Sequence, residues 1–214
     1  MIHYETGDYD IAIEEFTESL TITKSIVGNG TEEESETLLC LGNCYEKQGD
    51  YSQSLALLQE SYSIKRARSA AVKNGSDAVT GIDDDVAMAK ILVCIGDCYE
   101  LLNEFESALN VYNEARQLCA NLHEYHVDKG KVIQRIGNVY QNLGDYPNAV
   151  ACYMESLKIQ RYNLQVADNT KDTDNISTAN LLISIGSVHE LLQDTPPRAP
   201  PQRLTVASTA VMLR

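Results

Sequence analysis

Apolar residues recur at helical spacing along most of the chain, and short polar breaks separate these periodic segments. In one segment Leu38, Leu41 and Tyr45 fall at positions i, i+3 and i+7, which places their side chains on one face of a helix. A Gly-Asp break follows at residues 49–50, and a second periodic segment begins directly after it. The pattern therefore predicts two helices joined by a tight turn.

This helix-turn-helix pattern repeats. Three stretches align without gaps: LGNCYEKQGDYSQSLALL from Leu41, IGDCYELLNEFESALNVY from Ile95 and IGNVYQNLGDYPNAVACY from Ile136. Each has an aliphatic-Gly pair, a Tyr three residues after the Gly, and a Gly or Asn four residues beyond the Tyr. Partial copies flank them, HYETGDYDIAIEEFTESL at the start and LLISIGSVHELLQD near the end. Self-similarity of this kind is the sequence signature of a repeat protein.

Small residues at fixed positions predict where the helices approach each other. A glycine recurs in the first helices, and because it has no side chain, we expect a neighbouring helix to pack closely there. In the second helices we expect an alanine to mark the close contact and an aromatic residue four positions later to supply bulk. These residues are Gly42, Gly96, Gly137 and Gly186, separated by 54, 41 and 49 residues, then Ala12, Ala108 and Ala149, then Phe16, Tyr112 and Tyr153.

The turns carry helix-ending and helix-starting residues. We expect Gly49 to adopt the left-handed conformation that ends a helix, and Asp50 to cap the next one. Asp8 and Asp145 are predicted to cap their helices in the same way. Thr31 and Glu34 have the spacing of a capping box, which predicts a new helix from this point.

The predicted fold class is all-α: a right-handed α-solenoid of stacked antiparallel helix pairs over residues 1–194. The units are placed at about 1–30, 31–80, 84–122, 125–168 and 174–194, with the first and last truncated. Residues 195–214 contain four of the five prolines, three arginines and no acid, so a disordered tail is predicted. The pattern also fits a fragment of a longer array. The tail also fits a misassigned coding segment or a proline-rich binding motif.

On these residues the chain resembles the tetratricopeptide repeat family over roughly residues 1–194. The spacing exceeds the minimal unit of about 34 residues, because extra length follows each second helix. Long second helices and acidic loops are similar to the kinesin-light-chain subclass. Leu41-Gly42-Asn43 and Ile136-Gly137-Asn138 resemble the polarity-scaffold subclass whose repeats read LGN. The resemblance implies a scaffold or adaptor that binds a protein partner.

Composition narrows the range of functions. The formal net charge of -14 and the lack of a basic stripe argue against nucleic-acid binding. No stretch approaches the roughly 18 apolar residues needed to span a bilayer, and the start does not resemble a secretory signal, so a cytoplasmic location is expected. The six cysteines fall within or at the ends of helical segments, which favours reduced thiols over a disulfide framework.

Candidate chemistry is sparse. The cysteine pairs Cys40/Cys44 and Cys94/Cys98 each lie one helical turn apart, as half of a zinc site would. They occupy equivalent repeat positions, however, which favours helix packing. Cys119, His123 and His126 form a loose cluster without a fourth ligand, and His189 is expected in the core because Tyr fills its position in other units. No nucleophile–base pair, phosphate loop or dinucleotide motif is present, so we predict neither catalysis, metal nor cofactor.

What the resemblance implies about the site is a groove lined by the first helices, which holds a partner's peptide or helix. The groove residues are predicted on the side of the first helices opposite the core-facing row. An alternative is a chaperone-type carboxylate clamp, for which Asn43, Lys131 and Arg135 match the family pattern and Leu39 and Cys94 do not. A third hypothesis is a structural role through end-to-end self-association of exposed terminal helices. The predicted groove set is Leu39, Asn43, Glu46, Lys47, Lys90, Val93, Asp97, Glu100, Lys131, Gln134, Arg135, Asn138, Gln141, Ile183 and Ser187.

Overall fold

Eight α-helices account for nearly all of the chain that the computed structural model describes, which comprises residues 8–73, 81–124, 126–166 and 172–194. They are α1 (Tyr9–Ile26), α2 (Glu32–Gln48), α3 (Tyr51–Lys73), α4 (Gly81–Leu101), α5 (Phe105–Leu118), α6 (Val127–Asn142), α7 (Tyr146–Val166) and α8 (Asp172–Asp194), with a short 3-10 turn at Cys119–Asn121. No helix in these ranges is long and apolar enough to cross a bilayer. The predicted tail and the loop after α3 lie outside the described residues.

Each helix packs against the next in the chain, and the closest pairs are α2 with α3, α4 with α5, and α6 with α7. α1 packs on the first of these pairs and α8 on the last. First helices also contact first helices, α2 with α4 and α4 with α6. This arrangement confirms the predicted right-handed α-solenoid of stacked antiparallel helix pairs.

The three turns between paired helices have one geometry. Gly49, Asn103 and Gly144 adopt left-handed backbone angles, with φ of 88°, 60° and 75°. The N–H of the residue after each reaches back five residues to a carbonyl, for example from Asp50 to Tyr45 at 3.0 Å. This 6→1 bond is the Schellman motif, which satisfies carbonyls at the end of a helix. The prediction for Gly49 is therefore confirmed.

Side-chain caps follow the turns, with one correction. Asp50 accepts the backbone N–H of Gln53 at 3.1 Å, and Asp145 accepts that of Asn148 at 3.4 Å. Thr31 accepts the N–H of Glu34 at 3.1 Å, which makes it the N-cap of α2. The prediction for Asp8 is wrong: its ψ of 65° departs from the extended cap geometry, and its side chain makes no cap hydrogen bond.

Paired helices approach each other closely at two levels. At the first level, a Cβ added to the first-helix glycine would collide with a large side chain of the second helix. These contacts pair Gly42 with Leu58, Gly96 with Tyr112, and Gly137 with Tyr153. At the second level small residues meet, namely Ser35 with Ser61, and Gly130 with Ser156. The predicted small residues Ala12, Ala108 and Ala149 are all buried.

The core runs along the interior of the helix pairs and includes several thiols. Cys44, Cys98 and Cys119 are fully buried, and all six cysteines, each within the described part, carry free thiols. His189 is exposed, contrary to the prediction that it packs in the core. Its unit has only α8 among the described residues, so no second helix covers this face. A Cβ at Gly186 accordingly meets no atom within 4 Å.

Candidate partner-binding surface

Ion pairs join two successive first helices, α4 and α6. We call the exposed sides of α2, α4 and α6 the first-helix surface. Arg135 of α6 lies 2.9 Å from a carboxylate oxygen of Asp97 on α4. Lys90 of α4 lies 3.6 Å from the carboxylate of Asp128 on α6. Because these contacts link helices from different units, they fix the spacing of the surface as well as its charge.

The centre of the surface contains two carboxylates that share one hydroxyl group. The Tyr112 hydroxyl lies 2.5 Å from Oδ1 of Asp97 and 2.7 Å from Oε1 of Glu100. Burial and the two nearby carboxylates raise the pKa of Tyr112 far above its ordinary value, so the hydroxyl keeps its proton. A hydroxyl has one proton to donate, so it can satisfy only one of the two carboxylates at a time.

Burial dominates the electrostatics of these carboxylates. It raises the pKa of Asp97, and the charge of Arg135 and the Tyr112 hydrogen bond offset this only in part. Burial also raises the pKa of Glu100 despite the same hydroxyl. On Arg135 burial is the largest single effect and disfavours the charge, but Asp97 together with Tyr112, Glu100 and Cys94 outweighs it and raises the pKa of the guanidinium. The Arg135–Asp97 pair thus offsets part of the effect of burial on both residues.

The next unit contains an uncharged version of the same arrangement. The Tyr153 hydroxyl lies 2.9 Å from Oδ1 of Asn138 and 2.8 Å from Oε1 of Gln141. These residues follow Tyr112, Asp97 and Glu100 by 41 positions, the spacing of Gly96 and Gly137. Sequence reasoning treated both tyrosines only as bulky core residues and missed their hydroxyl contacts. The signal that could have revealed them is a polar pair recurring 15 and 12 residues before each tyrosine.

Lysines lie at the opposite end of the surface. Lys90 and Lys131 approach the two carboxylate oxygens of Asp128 at 3.6 Å and 3.7 Å, and their side chains are 61% and 66% exposed. His126 caps α6 by accepting the N–H of Asp128 at 3.3 Å. Two ammonium groups thus share one carboxylate while both side chains remain exposed to solvent.

The predicted groove residues are all partly or fully exposed, but they do not all meet. Leu39 and Val93 are half-buried and pack against the core, so they form the floor between the polar residues. Gln134 turns toward the α7–α8 side and accepts a hydrogen bond from Gln160 at 3.4 Å. Ile183 and Ser187 lie on α8, beyond the ion-paired helices. The structure brings together these groups: Glu46 with Lys47, Asp97 with Glu100 and Arg135, Asn138 with Gln141, and Lys90 with Lys131.

The residues of the carboxylate-clamp alternative are only partly available for a ligand. Lys131 is exposed, whereas Arg135 already pairs with Asp97 at 2.9 Å. A ligand carboxylate would therefore compete with Asp97 for the guanidinium. Asn43 is half-buried on α2.

The candidate metal ligands have other surroundings. Within the described ranges, no group of three or more His, Cys, Asp or Glu side chains converges on a point. The His123 ring lies 6.3 Å from the ring of Tyr162, and His126 serves as a helix cap. Burial, followed by the charge of Asp97, raises the pKa of Cys94 to about 12, which disfavours the thiolate that a metal requires.

Known structures share this architecture. BtubC (BKLC) from P. vanneervenii superposes with a TM-score of 0.70 at 17% identity, covering 90% of this chain and 69% of that one. A putative kinesin light chain protein from Podosopora anserina with nearly identical TPR-like repeats, in a single-substitution form, gives 0.64 at 14% identity, covering 89% and 86%. MamA gives 0.51 at 16% identity, covering 89% and 92%. At such identities the similarity shows the fold alone. The chain matches no curated protein.

Family membership rests on the sequence as well as on the fold. The tetratricopeptide repeat family model matches residues 1–67 and 87–161, which together make up more than half of the chain. The matched stretches contain the glycine–tyrosine and glycine–leucine contacts that hold each helix pair together. Arrays of this kind act as protein–protein interaction scaffolds. The chain belongs to the tetratricopeptide repeat family.

Proposed function

We propose that the chain is a cytoplasmic adaptor, similar to kinesin light chain, that binds a peptide or helix of a partner protein on its first-helix surface. One observation carries the proposal: ion pairs link polar side chains of two successive first helices, α4 and α6, and each of these side chains is at least partly exposed. The packing of the helices does not require ion-paired polar side chains at this surface. The free thiols of all six cysteines support a reducing compartment.

The test compares two lysines that differ in position but not in chemistry. Lys131 lies on the first-helix surface and is 66% exposed. Lys158 lies on the second helix α7, is 62% exposed and pairs with Glu124 at 2.8 Å. Affinity capture from source-cell extract with Lys131→Glu and Lys158→Glu, each checked for native helix content by circular dichroism, separates the two surfaces. We expect partners to be lost only with Lys131→Glu. Equal partner sets for both variants would reject recognition on the first-helix surface.

Exposed apolar residues on the terminal helices favour a second candidate, structural self-association. Ile176 and Ile183 of α8 are 60% and 66% exposed, and Ile26 of α1 is 77% exposed. Apolar side chains at two ends of an array can stack heterologously and build open filaments. Sedimentation velocity over a concentration series tests this, with Ile183→Glu expected to abolish any oligomer. A monomer at all concentrations would reject the structural role.

A further inference from the structure

The first-helix surface has two exposed lysines at one end and three carboxylates at the other, and this arrangement indicates the chemistry of the ligand. We propose that it selects an extended segment of a partner protein that carries an acidic and a basic side chain three to five residues apart. The acidic side chain binds at Lys90 and Lys131, and the basic one at Asp97 and Glu100. The inference rests on the proposed function and adds the chemistry of the partner.

Lys90 and Lys131, at one end of the surface, can bind a further anion. Lys90 and Lys131 come from different helices and remain 61% and 66% exposed, and within the described part of the chain the carboxylate that they share is that of Asp128. Their distances of 3.6 Å and 3.7 Å leave room for each ammonium to bind a further oxygen. A partner carboxylate placed here would gain two charge-assisted contacts.

The negative end lacks donors. Glu46, Asp97 and Glu100 supply three carboxylates against the two cations Lys47 and Arg135. Arg135 pairs with Asp97 and not with Glu100. Among the described residues, the only donor within hydrogen-bonding distance of Glu100 is the Tyr112 hydroxyl, and Glu100 shares this hydroxyl with Asp97. A guanidinium or ammonium from a partner would supply the missing donors.

The helix dipoles of α2 and α4 also favour a bound cation at this end of the surface. Glu46 lies two residues before the end of α2 at Gln48, and Glu100 one residue before the end of α4 at Leu101. A helix C-terminus carries a partial negative charge, so a carboxylate in the last turn is unfavourable. A bound cation would relieve this repulsion on two helices at once.

The geometry sets the spacing in the ligand. Lys90 precedes Asp97 by seven residues and Glu100 by ten, counted along α4 from positions 90, 97 and 100. At about 1.5 Å per residue these separations correspond to about 10 Å and 15 Å. An extended peptide rises about 3.3 Å per residue and spans them in about three to five residues.

Comparison with the neighbouring unit indicates that the partner's basic side chain binds at α4 and not at α6. Asn138 and Gln141 stand where Asp97 and Glu100 stand one unit earlier, and Tyr153 contacts both as Tyr112 does. The amide pair is neutral and offers donors and acceptors suited to a peptide backbone. The two units therefore have the same arrangement of side chains but differ in charge. The basic residue of the ligand is attracted to only one of them, so the ligand binds in a single register.

The experiment selects ligands without assuming a partner. A displayed library of random twelve-residue peptides is enriched on the whole chain, and the enriched peptides are synthesised and titrated by fluorescence anisotropy. We expect an acidic and a basic residue three to five positions apart. Lys131→Glu should weaken binding about tenfold, Glu100→Gln several-fold, and Lys158→Glu not measurably. Replacing the peptide's acidic residue by Lys should restore affinity to the Lys131→Glu variant, which a merely structural lysine would not allow.

The outcomes distinguish the two levels of the proposal. Two outcomes overturn this inference and leave the proposed function standing, and in both the enriched peptides lose binding with Lys131→Glu. In the first, the peptides carry no basic residue. In the second, the basic residue lies seven to ten positions from the acidic one, which is the spacing of a bound helix. Enrichment of no peptide, or of peptides equally sensitive to Lys131→Glu and Lys158→Glu, overturns both.

Discussion

Gly96 lies directly against the ring of Tyr112, so that a Cβ added to Gly96 would lie 2.6 Å from Cζ of that ring. The ring is fully buried and cannot move aside without opening the contact between α4 and α5. Gly96→Ala is therefore expected to lower the free energy of unfolding by about 1–3 kcal/mol, the usual cost of overpacking a core. Urea denaturation followed by circular dichroism measures the change.

Gly186 provides the matched control for this prediction. It occupies the same repeat position on α8, but a Cβ there meets nothing within 4 Å. Gly186→Ala should therefore be neutral or stabilise the helix by up to about 1 kcal/mol, because alanine is the better helix former. A loss of stability as large as that of Gly96→Ala would mean that helix conformation, and not the Tyr112 contact, requires the glycine.

Ser35 and Ser61 close the α2–α3 pair with reciprocal hydrogen bonds, since each hydroxyl donates to the other residue's carbonyl, at 3.0 Å and 2.7 Å. The equivalent positions 54 residues later hold Ala89 and Ala115, both buried, so an apolar contact also fits this site. Each single Ser→Ala change should cost about 1 kcal/mol. The double change should cost less than the sum, because it reproduces the alanine pair and improves helix propensity.

A double-mutant cycle by chemical denaturation measures this coupling, which we expect to be at least about 0.5 kcal/mol. Strictly additive costs would show that the two hydroxyls act independently and that the Ala89–Ala115 contact is not a guide to this pair.

Cys94 illustrates how burial controls thiol reactivity on the first-helix surface. Burial raises the pKa of Cys94 to about 12, so at pH 8 only about one thiol in ten thousand is ionised. Alkylation by iodoacetamide should therefore be far slower in the native protein than in urea, as followed by peptide mass spectrometry. Equal rates in both conditions would contradict the buried environment.

The repeat pattern was sufficient to predict the packing within a unit. Gly96, Ala108 and Tyr112 recur at the same offsets as Gly137, Ala149 and Tyr153. A fixed offset on two paired helices implies a fixed contact, and Leu58 makes it with Gly42 in the unit before. His189 shows the limit of this reasoning: equivalence of position predicts burial only where both helices of the unit are present. Asp8 shows another, because a capping residue also needs extended backbone angles, which the residue type does not determine.

The contacts between units could not be predicted from the sequence. The ion pair of Arg135 with Asp97 joins residues 38 positions apart on α6 and α4 (135−97), and its geometry depends on how far each unit is rotated relative to the last. Insertions that change the repeat length leave that rotation undetermined. The sequence could therefore predict which residues face outward on each first helix, but not which of them pair.

Glu100 should make the stability of the array depend on pH. Its pKa is raised in the folded protein by burial, so its favourable contribution is complete below the unfolded pKa and is lost as the pH rises through the folded pKa. Glu100→Gln removes the ionisation and introduces the residue type of Gln141, and its amide N–H can donate to the Tyr112 hydroxyl, which a carboxylate cannot do. At pH 7 the variant should be more stable than the wild type by on the order of 1 kcal/mol, the size of one restored hydrogen bond.

At pH 4 most of this difference should vanish, because this pH lies below the ordinary pKa of a glutamate and further below the raised pKa of Glu100 in the folded protein, so the protonated form dominates. Urea denaturation at the two pH values measures the change, and Glu106→Gln on the exposed side of α5 controls for loss of one negative charge. A stability gain that is the same at pH 4 and pH 7, or that Glu106→Gln matches, would mean that net charge and not the shared Tyr112 proton is responsible. A gain confined to neutral pH would identify Glu100 as the carboxylate that the free protein leaves short of a donor, which is the property expected of a residue that awaits a cationic partner.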